Sequence, residues 1–516
     1  MEAIQAKKID EVFQLWLDRP GAGGQLVINY KGEIFERCYG YQDIEAGVPM
    51  SQESVFHLAS MSKQVTAMCI FMLYERGMLG LEDDIKKYLP DIIKVPQTIT
   101  IRNLLHHTSG LPDHDNFRFC TGVTYKDTMT QAESLRLIAR TKELNFAPGT
   151  DYSYSNPNYL LLATIVERIT GQTLNDFCQE NIFKPLGMTK TFVRDDPEML
   201  IPNRVYSYRD DGYNYTNAIL NLCSYGATSL HSTSRDMSIY LRQYIDPTLI
   251  SRETMEKRFL YIPPLPDGKK SVYASGVFIE EMLGHRYIHH GGVNAGFRNF
   301  GVCFPEDDLI IVRLANTYNL PFEDTSLDVA RIVLGLPPRE LRTLDAYKTD
   351  TVDLDSIPGF YYCDKNGEYY EIDVRDGVVY NGNVELKPIG GNLFKQGWMN
   401  ITFAFGENTV RQAHNAIYPL RKVDDKIIAE QAAEYTGKYI CEDFESRWEV
   451  VWQNGKLYLY HLRHGMLELH RLDGDVFCNE RGVAKYTFLR DAQGNVVSFN
   501  RATDRQKKMI FTKCAL

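Results

Sequence analysis

The chain has 516 residues and a mass of 59.3 kDa, a length typical of about two to four domains. Hydrophobic residues make up 44% and charged residues 24% of the sequence, which excludes a disordered or fibrous chain. The 57 Lys and Arg residues against 67 Asp and Glu residues give a net charge of −10. We therefore expect neither nucleic acid nor an anionic membrane as a main partner.

The sequence also indicates where the protein works. It lacks a stretch of about 18 apolar residues, so no membrane span is predicted. Residues 1–10 carry charges and no apolar core of a signal peptide, and the ten cysteines are scattered without a C-x-x-C pair. These features favour a cytoplasmic protein, or a secreted one whose signal peptide has been removed. No histidine or cysteine spacing indicates a metal site, and no pattern indicates an oligomeric state.

The N-terminal part begins with two predicted strands and a helix. Residues 25–30 are apolar and β-prone, Lys31-Gly32 is typical of a turn, and residues 34–41 have the pattern of a second strand. A helix is predicted over residues 61–75, ending near Gly77, because apolar residues recur there at the spacing of one buried helix face.

A second helix and three further strands complete this part. The helix follows Pro157, a residue suited to a first helical turn, and ends at Gly171. Strands are predicted over residues 273–279, 297–304 and 309–315. The alternation of elements predicts a mixed sheet with helices packed on it.

The C-terminal part has a different character and contains an internal repeat. Residues 340–352 are polar and are interpreted as a linker, after which short β-prone runs alternate with glycine and asparagine turns. Gly359-Phe360-Tyr361 recurs as Gly437-Lys438-Tyr439 at an offset of 78, and later aromatic residues recur at an offset of 83. Two similar antiparallel β-barrels are predicted, over residues 350–430 and 431–516, since closure of a small sheet removes its exposed edges.

The first candidate for chemistry is the S-x-x-K sequence Ser60-Met61-Ser62-Lys63 at the start of the predicted helix. A spacing of three residues places Ser60 and Lys63 on one face, where unpaired backbone N–H groups favour negative charge. A serine hydroxyl needs a base beside it, and a lysine is a base only when its pKa falls from about 10.4 toward neutrality. The alternative interpretation is a helix-capping serine with an exposed lysine.

The second candidate is Tyr154-Ser155-Asn156, just before the helix that begins at Pro157. A tyrosine on a turn can share a proton with a lysine, and an asparagine can donate to a substrate carbonyl and hold the lysine. Alternatively, Asn156 caps the helix and Tyr154 is a packed aromatic residue.

The third candidate is the glycine-rich stretch 289–297, which contains His290, Gly291, Gly292 and Val293. Glycines allow a ligand to approach the backbone, and a strand edge beside a serine can supply an N–H group to an oxyanion. The alternative is a glycine-rich turn with surface histidines.

These three motifs, in this order, resemble those of the serine β-lactamase and penicillin-recognising family, in its class C and D-aminopeptidase branch. Two flanking sequences also resemble the family, Leu104 to Pro112 (LLHHTSGLP) and Asn181 to Met188 (NIFKPLGM). The resemblance covers about residues 5 to 335. It implies an α+β fold, in which an antiparallel sheet flanked by helices, together with an all-helical region, forms residues 1–340, followed by the two barrels.

The resemblance also implies roles for individual residues. Ser60 would be the nucleophile and Lys63 its base, with Tyr154 nearby or acting as the base in phenolate form. Asn156 would orient the substrate and Lys63, the N–H groups of Ser60 and Val293 beside Gly292 would hold the oxyanion, and His290 would stabilise the network. Neither a metal nor an organic cofactor is expected. The D-aminopeptidase arrangement further implies that residues 431–516 contribute a gate to the substrate.

His290 stands where the lactamase pattern has a lysine, which weakens a β-lactamase assignment. We therefore expect a serine hydrolase acting on a small molecule or short peptide, most similar to a D-aminopeptidase. An esterase or weak β-lactamase with the same site remains an alternative, because one acylation chemistry serves all three. Two others are a non-catalytic receptor for peptidoglycan fragments or β-lactams, and a sugar-binding tail that uses Trp398, Trp448 and Trp452.

Overall fold

A computed structural model describes residues 3–124, 126–212, 214–266, 268, 271–340, 342–396, 401–413, 416–479 and 484–514. The chain divides into two compact units, Met1–His114 with Thr124–Arg339, and Asp115–Val123 with Glu340–Leu516. Among the described residues, no helix is both long enough and apolar enough to cross a membrane. All ten cysteines are free thiols, and Cys69 and Cys178 lie with their Sγ atoms 3.5 Å apart.

The helices, in chain order, are α1 (Ala3–Val12), α2 (Gln14–Asp18), α3 (Ser62–Glu75), α4 (Ile101–Leu105), α5 (His114–Cys120), α6 (Gln131–Ile138), α7 (Asn156–Thr170), α8 (Leu174–Cys178), α9 (Lys184–Leu186), α10 (Ser234–Leu241), α11 (Arg252–Thr254), α12 (Phe322–Leu334) and α13 (Ala429–Tyr435). Short 3-10 helices include Ala59–Met61, Ile85–Lys87 and Arg242–Tyr244, and π-helical turns follow α8 and α11 at Gln179–Phe183 and Met255–Phe259.

The strands of the first unit are β1 (Gly24–Tyr30), β2 (Glu33–Tyr39), β3 (Tyr41–Asp43), β4 (Val48–Pro49), β5 (Phe56–His57), β6 (Met129–Thr130), β7 (Phe192–Val193), β8 (Tyr208–Asp210), β9 (Tyr215–Asn217), β10 (Leu222–Cys223), β11 (Leu230–Ser232), β12 (Phe278–Met282), β13 (His285–Asn294), β14 (Phe297–Phe304) and β15 (Leu309–Ala315). Those of the second unit are β16 (Gly359–Tyr362), β17 (Tyr369–Arg375), β18 (Val378–Asn381), β19 (Val384–Gly390), β20 (Leu393–Gln396), β21 (Ile401–Ala404), β22 (Val410–Ala413), β23 (Ala416–Pro419), β24 (Arg421–Val423), β25 (Gly437–Cys441), β26 (Ser446–Gln453), β27 (Lys456–His461), β28 (Gly465–Asp473), β29 (Val476–Asn479), β30 (Lys485–Arg490), β31 (Val496–Ala502) and β32 (Ile510–Lys513).

A six-stranded sheet of order β12-β13-β14-β15-β1-β2 forms the centre of the first unit. Every neighbouring pair in it is antiparallel, so the mixed sheet predicted from the element pattern was wrong. The predicted strand pair around Lys31-Gly32 is confirmed, with Tyr30 opposite Glu33. Apolar side chains cover both faces of this sheet, one against α10, in a core that also includes α3 and α7, and the other against α1 and α12.

The predicted strands over residues 297–304 and 309–315 are confirmed at both ends as β14 and β15. The strand predicted over residues 273–279 was wrong for most of its length, since β12 begins only at Phe278. Gly276 explains the difference. It has φ +78°, and a Cβ there would lie 2.8 Å from the carbonyl oxygen of Lys63. The chain therefore bends over the first turn of α3 and does not extend there.

Helix α3 is the central helix of the first unit, and its residues Ser62 to Leu73 are all buried. The sequence predicted one buried face, but the structure encloses the polar side chains of Lys63, Gln64 and Thr66 as well. Two Tyr hydroxyls, one on α10 and one on the turn after it, satisfy the oxygens of Gln64, because Tyr240 donates to its backbone oxygen and Tyr244 to its side-chain oxygen, each at 2.8 Å. Such satisfied polar groups allow a helix to be buried on every side.

Helix α7 agrees with its sequence signals. Pro157 lies in its first turn, and Gly171 ends it in the left-handed conformation, with φ +71°. The interior residues of α7, Leu161 and Ile165 among them, are fully buried in the same core as α3. Helix α7 therefore presents its N-terminus at a fixed place beside α3.

The second unit contains two antiparallel β structures, as the sequence predicted. Strands β16 to β24 form a nine-stranded, nearly closed barrel, and β25 to β32 form a closed barrel in which β25 pairs with β32. The repeated glycines Gly359 and Gly437 each begin the first strand, with φ +155° and +139°. The stretch 340–352 is not wholly the exposed linker that was predicted, because Leu344 is buried with Ala404 and Val410 of the first barrel.

The second unit also includes Asp115–Val123, which the chain supplies more than 300 residues before the closed barrel. Phe117 stacks on Phe444 with ring centroids 4.2 Å apart, and the backbone oxygen of Cys120 accepts hydrogen bonds from Ser446 Oγ and from Trp448 Nε1, the latter at 3.0 Å. Trp448 is therefore a buried anchor of this segment. Of the aromatic residues considered for a sugar site, Trp452 is half-buried and Trp398 lies outside the described residues.

Candidate active site

The turn that carries Ser60 is a 3-10 helix, Ala59–Met61, which leads directly into α3. Ala59 has φ +51°, a left-handed conformation that costs free energy for a residue with a Cβ. Hydrogen bonds hold it from both sides, since Ala59 N donates to His57 Nδ1 at 3.2 Å and its carbonyl oxygen accepts from Ser62 Oγ at 2.6 Å. Ser62 Oγ also accepts from Leu230 N, which ties the turn to β11.

Lys63 lies fully buried under this turn and connects three groups. Its Nζ atom is 3.2 Å from Ser60 Oγ, 2.9 Å from Asn156 Oδ1 and 2.9 Å from the carbonyl oxygen of Ala227. The amide oxygen and the carbonyl oxygen only accept hydrogen bonds. In a neutral Lys63 the two N–H bonds would therefore point to Asn156 and Ala227, and the lone pair would face Ser60. The helix-cap alternative with an exposed lysine is thus wrong.

Asn156 is the first residue of α7, and Ser155 occupies the capping position without a side-chain cap. The predicted alternative, in which Asn156 caps the helix, was therefore wrong. Its amide instead lies between Lys63 and Asp113, with Oδ1 toward Lys63 and Nδ2 3.3 Å from Asp113 Oδ2. Asp113 also accepts from the backbone N–H of Asn156 at 3.4 Å. This carboxylate fixes which end of the amide faces the lysine.

Tyr154 packs against the same group of residues. Lys63 Nζ lies 4.8 Å from the centroid of its ring, and the rings of His107 and His290 have their centroids 4.4 and 6.2 Å from it. His107 belongs to the flanking sequence Leu104 to Pro112. Its Nδ1 atom accepts from Ser155 N at 3.2 Å and lies 2.9 Å from Asn158 Nδ2. That flanking sequence thus shapes the turn on which Tyr154 and Asn156 lie.

His290 lies on β13 and is buried, not a surface histidine. Its Nδ1 atom is 2.6 Å from the carbonyl oxygen of Gly291, so Nδ1 carries the proton and Nε2 accepts from the Tyr273 hydroxyl at 3.4 Å. Burial, followed by the nearness of Lys63, lowers the pKa of His290 to about 3. Burial also raises the pKa of Tyr273 well above its usual value. His290 is therefore neutral, and Tyr273 keeps its proton, near neutral pH.

The stretch after His290 is a strand edge, as predicted, and not a glycine-rich turn. Strand β12 pairs with β13 only as far as His289, so residues 290–294 keep β14 as a neighbour on one side. The nucleophile turn packs closely on this stretch, because a Cβ on Gly292 would lie 2.1 Å from the carbonyl oxygen of Leu58. Gly292 is therefore needed for the approach of the turn itself. Val293, the next residue, is half exposed.

The four expected groups thus lie around one place: the Ser60 hydroxyl, the Lys63 amine, the Tyr154 phenol and the His290 imidazole. Asp113, Tyr273 and the carbonyl of Ala227 also belong to this site and were not predicted from the sequence. Asp113 directly follows the flanking sequence Leu104 to Pro112, which is a signal that pointed to it. A backbone carbonyl such as that of Ala227 leaves no signal in the sequence.

One cluster in the first unit has ligand types suited to a metal. Glu280, His289 and Glu323 each place one ligand atom within 4.8 Å of the others. Hydrogen bonds account for most of this arrangement, since Glu280 Oε2 is 2.9 Å from His289 Nε2 and accepts from Tyr287 Oη at 3.1 Å. None of the hydrogen bonds described above joins this cluster to Ser60 or Lys63.

Comparison with known proteins agrees with the fold and the motifs. A family model described as Beta-lactamase matches residues 10–335, so the chain belongs to the beta-lactamase family. A penicillin-binding protein from Bacillus subtilis is 28% identical over 359 residues, covering 65% of this chain and 78% of that protein. A D-aminopeptidase from Brucella ovis is 27% identical over 458 residues, covering 85% of this chain and 83% of that protein.

Solved structures share the fold at lower identity. An octameric penicillin-binding protein homologue from Pyrococcus abyssi matches with a TM-score of 0.59 and 18% identity, over 98% of this chain and all of that chain. A D-amino acid amidase from Ochrobactrum anthropi, complexed with L-phenylalanine amide, matches with a TM-score of 0.55 and 21% identity, over 64% of this chain and 98% of that chain. The first match extends through the β-barrels, and the second is limited to about two thirds of the chain.

Proposed function

We propose that this protein is a serine hydrolase that cleaves small amides or short peptides through an acyl-enzyme on Ser60, with an activity similar to that of a D-aminopeptidase. The observation that carries the proposal is the position of Lys63 Nζ, 3.2 Å from Ser60 Oγ and held by Asn156 and Ala227. A nucleophile beside an oriented base is the arrangement that acyl transfer requires. Membership in the beta-lactamase family and the D-aminopeptidase relatives support it.

In the first half of the reaction, Ser60 Oγ forms a bond to the carbonyl carbon of the substrate while its proton moves to Lys63 Nζ. The carbonyl π electrons move to oxygen, and the backbone N–H groups of Ser60 and Val293 stabilise that oxyanion. When the carbonyl re-forms, the C–N bond breaks and the departing amine takes the proton from Lys63. In this proposal Tyr154 lies along the path of the proton, and as a phenolate it would take the place of Lys63 as the base.

In the second half, a water molecule attacks the ester of the acyl-enzyme. Its proton moves to the same base, the C–O bond to Ser60 breaks, and the serine oxygen recovers a proton. The products are a carboxylic acid and an amine. Every proton accepted in one step is returned in the next, so the chain's own residues supply all the acid–base chemistry.

His290 supports an amide or peptide substrate over a β-lactam. A lysine at this place would offer a positive charge to a substrate carboxylate. The pKa of His290 is lowered to about 3, so the imidazole brings no such charge near neutral pH. Its Nδ1–H is occupied by Gly291, and Nε2 accepts from Tyr273. We assign His290 the role of holding this wall of the site in place.

The proposal also divides the chain by role. Residues 1–340 would carry the hydrolase, and residues 350–430 and 431–516 would be two related β-barrel domains. The distinct sheets of the second unit support two domains there.

The test compares three chromogenic substrates: D-alanine p-nitroanilide, a short-chain p-nitrophenyl ester and a chromogenic cephalosporin. We expect the anilide to give the highest kcat/KM, and Ser60→Ala to abolish its turnover. Mass spectrometry of the intact protein after mixing should show an acyl group on Ser60. Anilide hydrolysis by Ser60→Ala at the wild-type rate would contradict the proposal. An ester or cephalosporin preference would reassign the substrate, and a lack of any Ser60 adduct would favour a receptor.

A further inference from the structure

One cavity in the first unit has two arginines, Arg194 and Arg204, in its walls. Its volume is about 280 Å³, and its walls include Arg194, Arg204, His57, His231 and Phe297. None of Ser60, Lys63, Tyr154, Asn156 and His290 lines it. The cavity is therefore distinct from the candidate active site.

The two guanidinium groups differ in burial, because Arg194 is buried whereas Arg204 is half-buried and has its Cζ atom 5.2 Å from the centroid of the Tyr206 ring. Within the part of the chain that the structure describes, neither Arg194 nor Arg204 has a carboxylate oxygen within 4.0 Å. Arg194 is only 5% exposed, donates from Nη2 to the carbonyl oxygen of Pro197, and has a buried Nε–H with no acceptor. Charged groups inside proteins are normally paired, since an uncompensated charge is costly to desolvate. Two positive charges thus line one cavity, and the Nε–H group of Arg194 has no acceptor.

The remaining walls do not neutralise the arginines. Burial and both arginines lower the pKa of His57 to about 3, and burial lowers that of His231 well below its usual value. Burial and the nearness of Arg194 likewise lower the pKa of Arg204. The carboxylate of Glu45 also borders the cavity and accepts a hydrogen bond from Asn217 at 2.6 Å, but one carboxylate offsets only part of the charge of two arginines. The field in the cavity is consequently positive and suited to an anion.

We propose that this cavity is a binding site for a small oxyanion, the carboxylate or phosphate group of a ligand, held by Arg194 and Arg204. Planar guanidinium groups present paired N–H donors that match the oxygen geometry of both groups. The volume is sufficient for such a group together with water molecules. The anion offsets the positive charge of the two arginines.

The site is connected to the nucleophile by a short path. His57 lines the cavity, and its Nδ1 atom accepts the N–H of Ala59, the strained residue directly before Ser60. On its other side, His57 Nε2 is 3.3 Å from Thr228 Oγ1, next to the Ala227 carbonyl that binds Lys63. An anion in the cavity would therefore stabilise the two segments that position Ser60 and Lys63. This connection rests on the proposed function, whereas binding itself does not.

The test measures binding to the full-length protein without using hydrolysis. Thermal unfolding and isothermal titration are followed with inorganic phosphate and, separately, with citrate, against sodium chloride of equal ionic strength. The variants are Arg204→Gln, which is half-buried and should fold, and Arg194→Gln. Arg258→Gln is the matched control, because this arginine is exposed on the turn after α11.

We expect phosphate or citrate to raise the Tm of the wild type and of Arg258→Gln, and Arg204→Gln to weaken the affinity about tenfold or more. A response to phosphate alone identifies a phosphate group as the ligand, and a response to citrate alone identifies a carboxylate. The proposal is overturned if neither anion shifts Tm beyond chloride, or if both arginine variants respond as the wild type does. Either result leaves the acyl-enzyme measurement on Ser60 unaffected, so failure of this site is distinguishable from failure of the proposed function.

Discussion

Asp113 and Asn156, 43 positions apart in the chain, are joined twice, because Asp113 Oδ2 accepts from the side-chain Nδ2 and from the backbone N–H of Asn156. An amide has one accepting end and one donating end. With the donating end on Asp113, the oxygen must face Lys63, where it accepts at 2.9 Å. If Lys63 is the base of the proposed reaction, Asp113 positions it through Asn156.

This relationship leads to the first prediction, for Asp113→Asn. The new amide can donate as well as accept, so it no longer selects one orientation of Asn156. We expect kcat to fall about 10- to 100-fold with KM changed little, since displaced catalytic groups cost rates of that order. Asp176→Asn, an exposed residue of α8, is the control and should keep the wild-type kcat. A fall confined to KM would contradict the positioning role.

The second prediction concerns the amine of Lys63. Lys63→Met retains a long buried side chain and removes the base, so acylation should slow by about 1,000-fold or more if the amine accepts the Ser60 proton. Labelling of Ser60 by a fluorophosphonate probe, followed by mass spectrometry, measures this step directly. Lys190→Met is the control, because Lys190 forms an exposed ion pair with Glu53. Wild-type labelling of Lys63→Met would assign the base to another group, with Tyr154 the next to test.

The third prediction concerns the close approach of Gly292 to the nucleophile turn. A Cβ there would lie 2.1 Å from the carbonyl oxygen of Leu58, so Gly292→Ala must push the turn that carries Ser60 away from β13. We expect kcat/KM to fall by about 100-fold while the protein stays folded, as judged by circular dichroism. Gly406→Ala is the control, since a Cβ there meets the Asn392 side chain at an ordinary 3.9 Å. Equal activities of the two variants would show that the turn tolerates the displacement.

The fourth prediction is a dependence of stability on pH. Burial lowers the pKa of His57, His106 and His290 to about 3, below the value of about 6.5 expected in the unfolded chain. Between these values the unfolded state binds more protons, so these histidines make the free energy of unfolding fall as the pH decreases from about 6.5 toward 3. Each contributes a slope of about 1.4 kcal/mol per pH unit within that window.

His106→Leu tests this slope, because His106 is not among the residues assigned to the reaction. As the pH decreases from 6 to 4, the free energy of unfolding of the variant should fall by about 1.4 kcal/mol less per pH unit than that of the wild type. Urea unfolding at several pH values gives the free energy of unfolding of each protein as a function of pH. Subtracting one curve from the other removes the contribution of the carboxylates that both proteins share. Parallel curves would contradict a neutral, buried His106 in the folded protein.

Local signals predicted much of the fold. Strands β14 and β15 have the predicted bounds because both are rich in apolar residues and the turn residues 305–308 separate them. Helix α7 follows its proline and glycine signals at both ends. The strand prediction failed over residues 273–277 because the chain bends at Gly276 to accommodate α3. That contact depends on residues far away in the chain. The burial of α3 on every side is likewise a product of its neighbours, not of its own pattern.

The candidate site divides in the same way. Ser60, Lys63, Tyr154, Asn156 and His290 were predicted because side chains of distinctive chemistry recur in a recognisable order. Ala227 contributes its backbone carbonyl, and Asp113 is joined to Lys63 through the side chain of Asn156. The spacing of the motifs therefore predicted neither residue. The neutral state of His290 follows from its burial beside Lys63, which only the folded chain reveals.

The packing of Asp115–Val123 against the closed barrel has a consequence for biosynthesis. This segment packs on Phe444 and accepts hydrogen bonds from Ser446 and Trp448. These three residues are translated more than 320 residues after Cys120. While the ribosome is still making the intervening chain, the segment has no surface to dock on, and its apolar rings stay accessible to chaperones and proteases. The closed barrel therefore completes a packed region that begins more than 300 residues earlier in the chain.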